Sequence, residues 1–271
     1  MFVPFVLNQQ FTSRTDTTKI LVGFLLFSLV ATATYLFNDI CDLKSDQQHP
    51  IKQRRAIASG RLPVTRAAAI ATAFFGCGII GAIFLDVHFL VILLTYSVLT
   101  ATYSLKLKRF PLVDTLVIAV LFMLRIVAGM VLSQQPISMW LCSFTVALFL
   151  SLALAKRHDE LTRLASTNNS VRGYVRQDLP LTLGFGVSAA MAGILILILY
   201  LNLEAETKHL YSTVSWLYGM PLVVLSWTQR VWFLANRGLL ADDPVAFALR
   251  DRVSWYHGAA VGFLWIVAVL T

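Results

Sequence analysis

Long apolar runs separated by short polar segments account for most of the chain. A helix that crosses a bilayer needs about 20 mainly apolar residues, and eight segments satisfy this requirement. They are 19–37, 66–85, 88–105, 111–132, 137–155, 179–201, 211–234 and 253–270. A ninth apolar stretch, Met1 to about Phe11, has half the needed length and is interpreted as the end of a first helix. The pattern predicts an all-α, polytopic membrane bundle of about nine helices that forms one domain over residues 1–271.

The composition supports this interpretation. Hydrophobic residues make up 58% of the chain and charged residues 13%, whereas soluble globular proteins have about 25% charged residues. A soluble domain and a disordered chain are both excluded by these values. The lipid bilayer is therefore an expected partner, and no nucleic-acid partner is expected. A homo-oligomer is compatible with the sequence.

The net charge of +8 is distributed unevenly along the chain. Of the 22 Lys and Arg residues, most lie in alternate loops. These are Lys44, Lys52, Arg54, Arg55, Arg61 and Arg66; Lys106, Lys108 and Arg109; Lys156, Arg157, Arg163, Arg172 and Arg176; and Arg230, Arg237, Arg250 and Arg252. The positive-inside rule places these four loops in the cytoplasm, as in a multi-pass protein of the inner or plasma membrane. Two of them, 38–65 and 156–178, are also rich in carboxylates.

Acidic residues follow the 19–37 segment at helical spacing. Asn38, Asp42 and Asp46 are four residues apart, so in a continuing helix they share one face. Such a row repels itself unless a cation binds there, and oxygen ligands with room for water and a phosphate are typical of Mg²⁺. Calcium is disfavoured because the Gly and the bidentate Glu of an EF-hand loop are missing. The pattern predicts a magnesium site.

A basic turn follows this acidic row. Pro50 ends the helix, and Lys52, Arg54 and Arg55 come within four residues. A diphosphate suits this combination, because Mg²⁺ bridges its oxygens while Lys and Arg neutralise the remaining charge. The alternative is a juxtamembrane basic cluster that attracts anionic lipid head groups. That alternative does not explain acids interleaved at helical spacing.

A charged pair is embedded in the 111–132 segment. Arg125 lies midway along it, and Asp114 lies three turns earlier on the same face. An ionisable group inside a span normally faces a polar cavity or a partner. The pair is interpreted as lining the site, and a buried structural contact is the alternative.

Two further charged motifs end or begin apolar segments. Lys156 to Glu160 closes the 137–155 segment, where Lys156 and Glu160 are spaced to form an ion pair and the helix dipole favours cations. A phosphate-binding role for Lys156 and Arg157 is equally compatible with the pattern. Asp251, between Arg250 and Arg252, is interpreted as part of a salt bridge that orders the loop rather than as an anion contact.

These motifs together resemble the UbiA superfamily of intramembrane prenyltransferases. The resemblance is carried by Asn38-Asp39-x-x-Asp42-x-x-x-Asp46, His49-Pro50-x-Lys52 and Ile57-Ala58-Ser59-Gly60. Further motifs are similar to the polyprenyl-phosphate phosphoribosyltransferase branch, which includes the decaprenyl-phosphate enzymes. They are Tyr103-Ser104-Leu105-Lys106, Asp114, Leu124-Arg125-x-x-Ala128-Gly129, Lys156-Arg157-x-x-Glu160-Leu161 and Ala248-Leu249-Arg250-Asp251-Arg252.

The sequence departs from the family pattern at two places. Enzymes of the superfamily that use prenyl diphosphates have a second Asp-rich motif where this chain has Lys156-Arg157-His158-Asp159-Glu160. This favours one metal cluster combined with cations. Family members usually open with a basic, Trp-containing stretch before the residues that match Phe2-Val3-Pro4, and that stretch is missing here. Either the start is truncated or the first helix is a stub.

The resemblance implies a Mg²⁺-dependent enzyme with a central cavity open to the cytoplasm. It would transfer 5-phosphoribose from 5-phosphoribosyl diphosphate to a polyprenyl phosphate, with inversion and release of diphosphate, for cell-envelope glycan synthesis. The implied catalytic residues are Asp39, Asp42, Asp46 and Lys52, and the metal ligands are Asn38, Asp42 and Asp46. The implied substrate-binding residues are Arg55, Tyr103, Lys106, Asp114, Arg125, Lys156, Arg157 and Glu160.

Two other functions are compatible with the sequence. One is a prenyltransferase that moves a prenyl group from its diphosphate to an aromatic or lipid acceptor. The other is a transporter, in which charges inside the membrane line a pathway. The concentration of polar residues on one side and the lack of a matching second half count against transport.

Overall fold

A computed structural model gives the fold. It describes residues 1, 3, 14–48, 52–163, 172–206, 211–240 and 244–271. The predicted first helix, apart from Met1 and Val3, lies outside the described residues, as do His49 and Pro50. The main elements are helices α1 Arg14–Cys41, α2 Leu43–Gln48, α3 Val64–Leu85, α4 Val87–Leu105, α5 Val113–Leu132, α6 Met139–Arg163, α7 Leu179–Tyr200, α8 Met220–Asn236, α9 Pro244–Arg250 and α10 Arg252–Leu270.

The predicted all-helical membrane fold is confirmed. Seven of the eight predicted spans correspond to helices that, among the described residues, are long and apolar enough to cross a membrane. The remaining predicted span, 211–234, consists of a 3₁₀ segment, Val214–Gly219, followed by the 17-residue helix α8. The count of about nine spans stays a prediction.

The chain divides into two compact units. Unit 1 comprises Met1–Phe110 and Met123–Ile137, and unit 2 comprises Pro111–Phe122 and Ser138–Thr271. The division falls inside α5, so its first half belongs to unit 2 and its second half to unit 1. The predicted single transferase domain over residues 1–271 stays a prediction.

In unit 1, helix α1 packs against α3 and α4. The contact between α1 and α3 requires a glycine, because a Cβ atom at Gly78 would lie 2.4 Å from Cγ2 of Val30. Small residues at such positions let membrane helices approach closely. Helices α3 and α4 are joined by Asp86 alone, and its carboxylate caps α4 by accepting a 2.9 Å hydrogen bond from the Phe89 amide. This packing fixes α1, which bears the acidic motif at its end.

In unit 2, helix α6 packs against α7 and α8, and α8 also contacts α10. Prolines lie in the first turn of α7 and of α8, where the missing amide costs no hydrogen bond. The core between α6 and α8 includes Leu154, Ala155 and Trp232. Helix α6 extends eight residues beyond the predicted end of its span, to Arg163. The motif from Lys156 to Glu160 is therefore helical.

Candidate active site

The acidic motif continues the helical path of α1. The amide of Asp42 donates to the Asn38 carbonyl at 2.9 Å, and the amide of Asp46 donates to the Asp42 carbonyl at 2.8 Å. The short helix α2 thus prolongs α1 beyond the interruption at Asp42. The predicted helical spacing of Asn38, Asp42 and Asp46 is confirmed.

The side-chain oxygens of Asn38, Asp39, Asp42 and Asp46 are arranged as two pairs, each held by one cation. Nζ of Lys108 contacts Oδ1 of Asp42 and lies 3.4 Å from Oδ1 of Asn38. Nη1 of Arg55 lies 2.9 Å from Oδ1 of Asp39 and 2.8 Å from Oδ2 of Asp46. Asp46 is buried, which explains why it needs a charged partner. A single nitrogen therefore bridges two oxygens in each pair.

The side-chain oxygens of these two pairs are of the kind that binds a divalent cation. Carboxylate and amide groups supply hard oxygen ligands, and Mg²⁺ is commonly held by one or two carboxylates together with water and substrate phosphate. Each pair already places two oxygens around a positive charge. No three His, Cys, Asp or Glu side chains form a ready metal cluster in the part of the chain that the structure describes. Asn38 with Asp42, and Asp39 with Asp46, are the residues that would hold a metal.

The contact of Lys108 with the acids is not indicated by the sequence pattern, which predicts a substrate-binding role for the nearby Lys106. Lys106 is exposed at the end of α4, whereas the 3₁₀ turn Leu107–Arg109 directs Lys108 toward the acids. Two basic residues separated by one position give no sequence signal for which of them turns inward. Lys52 begins the 3₁₀ turn that precedes Arg55 and is half-buried, as is Tyr103 in α4. The predicted roles of Lys52, Tyr103 and Lys106 stay predictions.

Arg125 is bound by tyrosine from a neighbouring helix of unit 1. Its Nη2 donates a 3.0 Å hydrogen bond to the Tyr96 hydroxyl, and its guanidinium carbon lies 5.5 Å from the centre of that ring. Tyr35 on α1 also hydrogen-bonds to Arg125. Tyr96 is buried and packs against Phe27. The cation is thus held by α1 and α4 within the apolar region of unit 1.

Arg157 is the centre of a buried ionic network in unit 2. Its Nε donates to Oδ2 of Asp114 at 2.7 Å, and its Nη1 donates to Oε2 of Glu160 at 2.5 Å. The side chains of Arg157 and Asp114 are 2% and 0% exposed. Lys156 also acts electrostatically on Glu160. For Asp114, these contacts favour the alternative of a buried structural role; the predicted substrate-binding roles stay predictions.

Tyr174 completes this network and has no counterpart in the sequence analysis. Its hydroxyl donates to Oδ1 of Asp114 and accepts from the Leu112 amide, both at 2.7 Å. Leu112 has a φ of 65°, a left-handed conformation that is unfavourable for a non-glycine residue, and Tyr174 binds its amide there. Burial, together with the bond to Asp114, raises the pKa of Tyr174 to about 12. The network therefore joins the start of α5 to the segment before α7.

The two residues after Arg157 are also bonded internally. Nδ1 of His158 lies 3.0 Å from the Thr182 hydroxyl, and Nε2 of His158 lies 3.2 Å from Oδ1 of Asn236. Oδ1 of Asp159 accepts a 2.8 Å hydrogen bond from the Leu240 amide, and Oδ2 lies 2.9 Å from Arg163. His158 and Asp159 occupy the place of the second Asp-rich motif of the prenyl-diphosphate enzymes. Here their side chains bind α6 to neighbouring segments of unit 2.

The predicted salt bridge at Asp251 is confirmed. Its two carboxylate oxygens accept hydrogen bonds of 2.7 and 3.0 Å from Arg230 on α8. Oδ2 also accepts from the amide and hydroxyl of Ser254, which makes Asp251 the N-cap of α10. Partial burial is outweighed by these bonds, which hold the pKa of Asp251 below its usual value.

The amino-acid sequence matches a known family over most of its length. The model of the UbiA prenyltransferase family matches residues 5–269. The chain belongs to the UbiA prenyltransferase family. As a UbiA protein with several long apolar helices, it is an integral, multi-pass membrane protein.

The chain is also similar to individual proteins. The chain is 43% identical over 272 residues to the uncharacterized protein y4nM of Sinorhizobium fredii, covering 99% of this chain but 53% of y4nM. It thus spans about half the length of that relative. It is 28% identical over 253 residues to the decaprenyl-phosphate phosphoribosyltransferase of Mycobacterium tuberculosis, covering 90% of this chain and 82% of that enzyme.

A solved structure from work on digeranylgeranylglyceryl phosphate synthase in membranes has the same fold. It superimposes with a TM-score of 0.64 at 14% identity, covering 97% of this chain and 89% of the other. At this identity the likeness establishes the fold alone.

Proposed function

We propose that this protein transfers 5-phosphoribose from 5-phosphoribosyl diphosphate to a polyprenyl phosphate and releases diphosphate. The observation that carries the proposal is the pairing of Asn38 with Asp42 and of Asp39 with Asp46, each around one cationic nitrogen. Such oxygens and cations together suit a metal-bound diphosphate. The similarity to a phosphoribosyltransferase along 90% of the chain supports the choice of donor.

The reaction exchanges one bond for another at the anomeric carbon of the donor. An oxygen of the acceptor phosphate forms the new bond to this carbon while the bond to the diphosphate oxygen breaks, and the electron pair leaves with diphosphate. Attack from the side opposite the leaving group inverts the carbon and gives a β-linked lipid phosphoribose, as in-line displacement requires. The acceptor phosphate is already anionic at neutral pH, so no strong general base is needed.

Residues of unit 1 would stabilise the charge that develops. Bound Mg²⁺ would polarise the leaving diphosphate. Lys52 and Arg55 lie in the turn that follows the acidic segment, and their charges offset that of the departing group. Arg125, which already donates to a hydroxyl inside the apolar region, is the proposed ligand of the acceptor phosphate.

In unit 2, the contacts of Arg157 suit a positioning residue. Arg157 forms ion pairs with Asp114 and Glu160, which belong to its own unit, and its side chain is 2% exposed. Lys156, which is half-buried, stays the proposed phosphate ligand of this motif.

We further propose that the basic loops face the cytoplasm, where the water-soluble donor is available, and that the product serves cell-envelope glycan synthesis.

The test is transfer of label in membranes that contain the protein. Labelled 5-phosphoribosyl diphosphate, Mg²⁺ and a polyprenyl phosphate should yield lipid-soluble label, and Asp42→Asn should lower the rate about 100-fold or more. Ser45→Ala, an exposed position on α2, is the matched control and should transfer at the normal rate. Full transfer by Asp42→Asn would contradict the metal assignment. Absence of transfer, with activity instead on a prenyl diphosphate and an aromatic or lipid acceptor, would support the prenyltransferase alternative.

A further inference from the structure

Lys108 and Arg55 occupy positions where a cation is expected. The nitrogen of Lys108 reaches one oxygen each of Asn38 and Asp42, and one nitrogen of Arg55 reaches one oxygen each of Asp39 and Asp46. These four oxygen-bearing residues are the ones proposed above to hold the divalent metal. The side chains that neutralise them are therefore in direct competition with that metal.

We propose that Lys108 and Arg55 are built-in counter-ions that hold the acidic segment together without metal and must withdraw when a divalent cation binds. The inference rests on the proposed function, because it concerns the same acidic residues. It assigns Lys108 a role that its sequence position does not suggest. By this role Lys108 sets how tightly the site binds metal, in addition to any later contact with substrate.

The physical basis is charge repulsion at short range. Two like charges a few ångströms apart repel strongly when the surroundings are partly buried. Lys108 and Asp42 are 11% and 22% exposed, so solvent screens this pair only in part. A divalent cation at the same oxygens cannot tolerate an ammonium group in hydrogen-bonding contact with them. Metal binding therefore includes the work of moving Lys108 away.

The two counter-ions differ in how easily they can move. Arg55 is 40% exposed and ends a short turn, so its side chain has open space to withdraw into. Lys108 is more enclosed and comes from a different loop, 66 residues along the chain from Asp42. Lys108 should therefore impose the larger restraint on metal binding. It also links α4 to the end of α1 as long as the metal is absent.

The experiment measures Mn²⁺ binding to the purified full chain without donor or acceptor. Free Mn²⁺ is quantified by electron paramagnetic resonance during titration of the wild type, Lys108→Gln and Arg109→Gln. Lys108→Gln keeps a hydrogen-bonding side chain but removes the charge, and it should tighten binding about tenfold. Arg109→Gln removes the same charge from an exposed position in the same turn and should bind like the wild type.

A second measurement follows the thermal unfolding temperature with and without Mn²⁺. Without metal, Lys108→Gln should unfold at a lower temperature than the wild type, because its acids have lost a counter-ion. Mn²⁺ should raise the unfolding temperature of this variant more than that of the wild type. If Lys108→Gln does not fold, Arg55→Gln tests the same point at the other pair, with tighter Mn²⁺ binding expected.

The outcomes separate this inference from the proposed function. Unchanged or weaker Mn²⁺ binding by Lys108→Gln would overturn the counter-ion role, whereas transfer activity in the wild type would still support the enzyme. Absence of Mn²⁺ binding by both the wild type and Lys108→Gln would overturn the inference and the metal assignment together. Tighter binding by Arg109→Gln to the same extent would also overturn it, because the effect would then reflect overall charge.

Discussion

Nε of Arg157 donates a 2.7 Å hydrogen bond to Oδ2 of Asp114, and both side chains are almost fully excluded from solvent. The two residues are 43 positions apart and lie on different helices, α6 and α5. Neither charge can be left alone in such surroundings, because an unpaired buried charge is strongly unfavourable. The pair therefore fixes the start of α5 against α6 within unit 2.

Loss of either partner of this pair should destabilise the protein. Arg157→Met leaves Asp114 buried without its cation, and a cost of about 3–5 kcal/mol is expected. Asp114→Asn should also destabilise, and the double variant should lose less than the sum of the two single losses. Thermal unfolding in detergent measures all three. Strictly additive losses would contradict a direct interaction.

Tyr174 should contribute a stability that depends on alkaline pH. Because its folded-state pKa is raised from 10.0 to about 12, the folded state favours the protonated phenol. The contribution is fully present below pH 10 and is lost as the pH rises through about 12. The unfolding temperature of the wild type should exceed that of Tyr174→Phe at pH 8, and the difference should shrink above pH 10. A difference that is constant up to pH 11 would contradict the assignment.

Asp251 should stabilise the beginning of α10. Asp251→Ala removes both the N-cap and the ion pair with Arg230, and a loss of about 1–2 kcal/mol is expected from the cap alone. Asp251→Asn retains a capping oxygen but not the charge, so its loss should be smaller. Thermal unfolding of both variants provides the measurement. Equal losses would show that the ion pair, and not the cap, carries the stabilisation.

Arg125 should affect the lipid acceptor more than the sugar donor. Arg125→Gln removes the charge proposed to bind the acceptor phosphate, so KM for polyprenyl phosphate should rise about tenfold or more. KM for 5-phosphoribosyl diphosphate should change little. Tyr96→Phe removes only a hydroxyl that accepts from Arg125 and is the matched control, with a smaller effect expected. Equal increases in both KM values would contradict the assignment.

The local features of this protein were predictable from the sequence. Seven of the eight apolar runs of sufficient length form membrane-spanning helices among the described residues, because a chain in a bilayer must satisfy its backbone hydrogen bonds within the segment. Asn38, Asp42 and Asp46 are connected by helical backbone hydrogen bonds, as their four-residue spacing predicts, because this spacing corresponds to about one helical turn. A loop-ordering salt bridge that involves Asp251 is also predictable from the sequence, although its partner Arg230 and its capping of α10 are not.

The partners of charged side chains were decided by the tertiary structure. The sequence does not indicate that Lys108 reaches the acids or that Tyr174 bonds with Asp114. It left open whether Arg157 binds phosphate or forms ion pairs, and only the fold shows that its side chain is buried against Asp114 and Glu160; the phosphate-binding role stays a prediction.

The physical reason is the difference between local and distant interactions. Hydrophobic length and helical spacing depend on neighbours within a few residues, so the sequence determines the spans and the acidic row. The direction of a long side chain depends on which loop the fold brings near it, and partners 43 to 66 residues away come together only in the folded chain. Family membership follows from the first kind of information. The assignment of counter-ions and positioning residues requires the second.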